Sequence, residues 1–241
     1  GNVAIGAECM DGIGTAGVWG CTGVGAGAMT AAMTAAAVGT VGVGYNALAA
    51  LTSGGGNIAI GFQAGDAITT GEKNVAIGYT ALSSGADNDN NVAIGFESMF
   101  NNSSNTNDNT CVGYQSGKDL STASGSVFIG SIAGTAVTTG NMNIAIGYDA
   151  MNGATTTGDN NIAIGVSAGD AITSGQNNVL MGPEAGGAVT TGQANIAIGY
   201  RSLYYASTQA DSNVAIGYQS MFGNFSTADV DGCVAVGRDS L

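Results

Sequence analysis

A five-residue phrase, seen as Asn161-Ile162-Ala163-Ile164-Gly165, recurs with conservative variation from the first residues almost to the last and leaves few folds open. Its closing glycines are Gly6, Gly25, Gly44, Gly61, Gly78, Gly95, Gly113, Gly130, Gly147, Gly165, Gly182, Gly199, Gly217 and Gly237, fourteen copies at intervals of 17 to 20 residues. Self-similarity at this period belongs to solenoids and arrays, in which each repeat contacts mainly its neighbours. One repeat therefore has to be read and then multiplied.

Three residues before the closing glycine the side chain is β-branched in every copy, and immediately before it stands Ile or Val, with Met181 the exception. Two large apolar positions flanking a small one, usually Ala, follow the alternation of a β-strand rather than the 3.6-residue period of a helix. The pattern predicts that the β-branched pair fills a thin apolar interior. The flat Ala-lined face would then be free to approach another surface closely, and Ile164 is an interior residue on this reading. The slot opening the phrase is Asn in ten copies, which suits hydrogen bonding along a stack of coils and the turn geometry at a strand start.

Beyond the glycine, the fourth residue is either Leu or Met (Leu82, Met99, Met151, Leu203, Met221) or Gly (Gly65, Gly117, Gly134, Gly169, Gly186). Where it is Gly, an apolar residue follows three positions later: Ile68, Leu120, Val137, Ile172 or Val189. Each coil thus supplies one filler to the same interior space by one of two routes, as close packing demands. The rest is turn chemistry, Thr-Thr-Gly or Asp/Asn runs. The prediction is an all-β chain, a parallel β-solenoid of about fourteen 17–20-residue coils. Residues 1–44 read as irregular Gly/Ala-rich first coils, and 45–241 as regular repeats forming one continuous repeat domain.

Composition removes several classes of function. The formal charge of -13, from 17 acids against Lys73, Lys118, Arg201 and Arg238, repels nucleic-acid backbones and anionic lipid surfaces. No run of 18 apolar residues is present to span a bilayer. There is no histidine, and Cys9, Cys21, Cys111 and Cys233 lack metal-site spacing, so they read as small packing substitutions. The chain opens inside a repeat and is expected to be a segment of something longer.

Fourteen copies of a phrase like Asn-Val-Ala-Ile-Gly resemble the YadA-like head repeats of trimeric autotransporter adhesins and the related β-solenoid repeats of phage tail fibres. The resemblance implies a left-handed parallel β-roll, three chains about a common axis, and display outside a cell or on a virion to bind a host surface. A homotrimer also follows from the narrowness of one coil and from the Ala-lined face as a self-packing surface.

The functional expectation is an extracellular, non-enzymatic structural and receptor-binding fibre segment, a tail fibre shaft or surface fibre. Its partners would be further copies of itself and a host receptor or glycan. The alternative is an adhesin head binding matrix or glycan, and a third reading is a polysaccharide depolymerase. For the last, the candidate carboxylates Glu97, Asp149 and Glu184 each fall two residues after a closing glycine, on the expected outer surface, with no inserted loop to build a pocket. An aromatic follows the glycine in eight copies. Of these, Tyr45, Tyr79, Tyr114, Tyr148, Tyr200 and Tyr218 are candidate glycan contacts if their rings lie open, and structural if they stack. No cofactor is expected, and calcium is the one ion the turns suit, at Asp87 and Asp89 or at Asp229 and Asp231.

Overall fold

The computed structural model describes residues 1–13, 17–205, 210–223 and 231–240. Among them it is all-β, a parallel β-solenoid with fourteen three-residue strands, one for each copy of the phrase. By contacts the chain divides into two compact units, Gly1–Thr122 and Ala123–Leu241. The first holds β1 (Val3–Ile5), β2 (Thr22–Val24), β3 (Val41–Val43), β4 (Ile58–Ile60), β5 (Val75–Ile77), β6 (Val92–Ile94) and β7 (Thr110–Val112). The second holds β8 (Val127–Ile129), β9 (Ile144–Ile146), β10 (Ile162–Ile164), β11 (Val179–Met181), β12 (Ile196–Ile198), β13 (Val214–Ile216) and β14 (Val234–Val236).

Within each unit every strand pairs in parallel with the next in sequence, and equivalent residues lie opposite one another, Ala59 beside Ala76 and Ala163 beside Leu180. The ladder extends past the strand ends, where Val75 N–H donates to Asn91 O and Gly78 N–H to Ile60 O, both at 2.8 Å. Strands β1 to β3, in the Gly/Ala-rich stretch, keep this same register.

The orientation of the strands corrects the expectation drawn from the phrase. Ala59, Ala76, Ala93, Ala145 and Ala163 are buried, and the β-branched residues beside them, Ile164 included, are half-buried or exposed. The reason is parity. Successive strand residues point to opposite faces, so the Asn that opens the phrase shares a face with the small residue two positions later. The asparagines are the decisive members. Asn74 N–H and Nδ2 both donate to Asn57 Oδ1, at 2.9 and 3.0 Å. Asn91 repeats the pattern on Asn74, Asn161 on Asn143 and Asn178 on Asn161. Each Nδ2 also reaches a carbonyl, as Asn74 does on Asn88 O at 2.6 Å. These amides are buried with their hydrogen-bonding capacity used, which is the condition under which a polar group is tolerated in a core. With Asn inside, Ala follows it and Val or Ile must face out.

The interior is filled from the other side of the coil by the two expected routes: Leu82, Met99, Met151 and Leu203, or Ile68, Leu120, Ile172 and Val189, all fully buried. The matching extends to the strand centre in a way the phrase did not disclose. In β8 and β11 that position holds Phe128 and Leu180, both fully buried. In those coils the fourth residue is Gly134 or Gly186 and the later filler is the smaller Val137 or Val189. A Cβ on Gly134 would run into the Phe128 ring, and one on Gly186 would lie 2.7 Å from Leu180. Volume is conserved per coil, not per position.

The turn after each strand places alternate residues in the left-handed region, whatever their type. Gln63, Thr80 and Glu97 have φ of 50°, 48° and 50°, and Leu82 and Met99 have 51°. Such angles cost a non-glycine residue roughly 1–2 kcal/mol each, and the stacking of identical turns holds them in place. The closing glycine is obligatory on two counts. Gly165 has φ 139°, and a Cβ there would meet the carbonyl carbon of Gly182 in the next coil at 2.6 Å.

Candidate functional site

Three exterior features run along the stacked coils of each unit. The first is the outer face of the sheet. Its two columns of Val, Ile and Thr leave a continuous apolar band, with Ile58 and Ile60 exposed to 38% and 40%.

The second is the aromatic file that follows the closing glycines. In the first unit Tyr45, Phe62, Tyr79, Phe96 and Tyr114 stack as a ladder, with ring centroids 5.0–5.4 Å apart and planes within 14°. Tyr200 and Tyr218 stack in the second unit at 5.3 Å. Tyr148 occupies the same column between Ser131 and Val166, without a neighbouring ring in that file. The rings are outside, as the glycan reading required, yet stacked rings cover one another's faces and leave their edges and hydroxyls outward. Cations cover further faces: the Arg201 guanidinium lies 5.1 Å from the centroids of both Tyr200 and Tyr204, and that of Arg238 lies 5.1 Å from Tyr218.

The third feature is the surface formed by the second and fifth residues after each glycine, which holds the three candidate carboxylates. Glu97 Oε2 accepts from Lys118 Nζ and from Gln115 Nε2, both at 2.8 Å. Those two bonds hold its carboxyl below the usual glutamate range. Glu184 Oε2 accepts from Arg201 Nε at 2.8 Å. Asp149 accepts from Asn152 Nδ2 at 2.8 Å and from Ser167 Oγ at 3.3 Å. Asp66 and Asp170 occupy this surface on equivalent Ala-Gly-Asp-Ala-Ile-Thr segments, and burial is the main cause pushing both carboxyls up from the ordinary aspartate range. At Asp170 the nearby charges of Asp149 and Glu184 push the same way.

Beside Glu97 this surface opens into a groove of about 430 Å³ that spans three coils. The sequence reading of an outer face with no pocket missed it, because the groove comes from short side chains at Thr80 and Ser83 between longer ones on the flanking coils, not from an inserted loop. The only advance signal was that local drop in side-chain size.

The acidic turns have a structural employment. Asp89 Oδ1 accepts the Glu72 N–H at 2.7 Å, Asp159 Oδ1 the Asn141 N–H at 2.7 Å, and Asp231 Oδ1 the Asp211 N–H at 2.9 Å. Asp87 Oδ1 accepts from Asn105 N–H at 3.2 Å. Asp229 lies outside the described residues. Among the described residues no three of His, Cys, Asp and Glu gather in a metal-binding arrangement. The four cysteines are free thiols, and Cys111 is fully buried at a strand centre, where desolvation pushes its thiol well above the ordinary range.

No protein-family model matches the chain, and no curated protein matches it.

Proposed function

We propose that this chain is a structural, receptor-binding segment of an extracellular fibre, a tail fibre shaft or a surface fibre, that acts by projecting and presenting a repetitive surface rather than by catalysis. The observation that carries the reading is the outward apolar band of the strands. A coil whose interior holds an alanine, an asparagine, one filler and a few further small residues such as Ala81 and Ser98 buries little surface, and it leaves its β-branched residues half-buried or exposed. Association of identical chains around an axis along the coils removes those residues from water and closes without free apolar faces, and three chains in a left-handed β-roll is the arrangement implied by the resemblance to YadA-like head repeats and tail fibre repeats. The band thus takes the role first assigned to the alanine face.

Light scattering at several concentrations tests the assembly. The expected result is a concentration-independent mass three times that of the chain. A monomer whose band remains solvent-exposed would overturn the reading.

A further inference from the structure

The groove beside Glu97 differs from the rest of its surface in having unused hydrogen-bonding groups. Its floor is the coil that carries Thr80 and Ser83. The preceding coil contributes Asp66 to one wall, and the following coil contributes Phe100 to the other. Asp66 Oδ1 and Thr80 Oγ1 are both buried without a hydrogen-bond partner among the described residues. Buried polar atoms are ordinarily paired, so two of them in one groove call for a partner. Lys118, one coil further on, lies over Phe100 with its Nζ 5.7 Å from the ring centroid. At about 430 Å³ the space falls in the range of small-ligand sites, roughly 300–1,000 Å³.

The chemistry of the lining selects the ligand. Two carboxylates and a net charge of -13 disfavour an anion. An apolar ligand would leave Asp66 and Thr80 unpaired. An ammonium group finds Glu97 already paired with Lys118, whose own charge repels a second cation. A sugar hydroxyl can donate to Asp66 Oδ1 and accept from the Thr80 hydroxyl, and the C–H face of a pyranose matches an aromatic ring. We propose that this groove is a saccharide subsite that takes one neutral hexopyranose unit of an oligosaccharide, its C–H face on Phe100 and its hydroxyls on Asp66 and Thr80. The stacked tyrosines are neighbours of the site, with Tyr79 bordering it by its edge. The proposal deepens the receptor-binding reading above and rests on it.

The test is calorimetric titration of the full chain with maltohexaose, cellohexaose and mannohexaose, with assembly mass measured on the same samples. At least one probe is expected to bind, with affinity falling tenfold or more in Phe100→Ala and severalfold in Thr80→Val, a near-isosteric change that keeps the coil. Tyr148→Ala, in the other unit, should leave binding unchanged. Absence of heat with all three sugars, or binding that survives both groove variants, overturns the subsite. The two readings fail separately: a trimer that binds no sugar loses only the subsite, and a monomer that binds one loses only the fibre assembly.

Discussion

At the residue scale the coil is governed by side chains that hydrogen-bond to the backbone of the next coil. Asp159 needs only an acceptor for the Asn141 N–H, so Asp159→Asn should leave the melting temperature within a degree or so. Asp159→Ala should cost about 1 kcal/mol, the net worth of one such bond, and thermal denaturation of both variants checks the pair. Asp170 carries a proton linkage of definite sign. Its folded-state carboxyl is raised by burial and by the charges of Asp149 and Glu184. Just above the ordinary aspartate range the folded state therefore holds the proton more tightly than the unfolded state. Stability falls as pH rises through that window, and the deficit persists at neutral pH. Asp170→Asn should melt higher than the parent at pH 7, and the difference should close as the pH drops below the ordinary carboxylate range.

At the scale of the element, one coil is a fixed volume shared by a strand centre and a filler. Ala163 sits over Gly169 and Ile172, whereas Leu180 in the next coil sits over Gly186 and Val189. Ala163→Leu should overpack its coil and cost about 1–3 kcal/mol. Adding Ile172→Val, which copies the neighbouring combination, should recover part of that loss, and a double-mutant cycle in denaturant measures the coupling. Equal and additive losses would show that the coils do not share volume in this way.

At the scale of the whole molecule, the inversion of the strand changes what a charge on it does. Ile164 faces outward and is half-buried. Ile164→Asp should leave the coils folded, at a cost within the roughly 1 kcal/mol span of strand preferences, and should lower the assembly mass seen by light scattering. Ala163→Asp, one residue away, places a charge in the core and should unfold several coils. Circular dichroism and light scattering on the two variants separate interior from interface.

Much of the fold was legible because the same pressures act once in every coil. The phrase at 17 to 20 residues dictated a solenoid, the β-branched pairs dictated strands, and the exchange of Leu82 for a Gly65–Ile68 pair exposed the shared interior. The facing of the strand was also written there, since Asn161 and Ala163 stand two residues apart and must share a face. Apolar bulk at Ile162 and Ile164 pointed the other way. What settled the matter was the tertiary structure, in which buried Asn amides bond from coil to coil, and no reading of hydropathy weighs that. The stacking of the rings and the groove beside Glu97 belong to tertiary structure for a related reason. Both arise between residues of different coils, such as Asp66 and Phe100, which border one groove only when the coils stack in register.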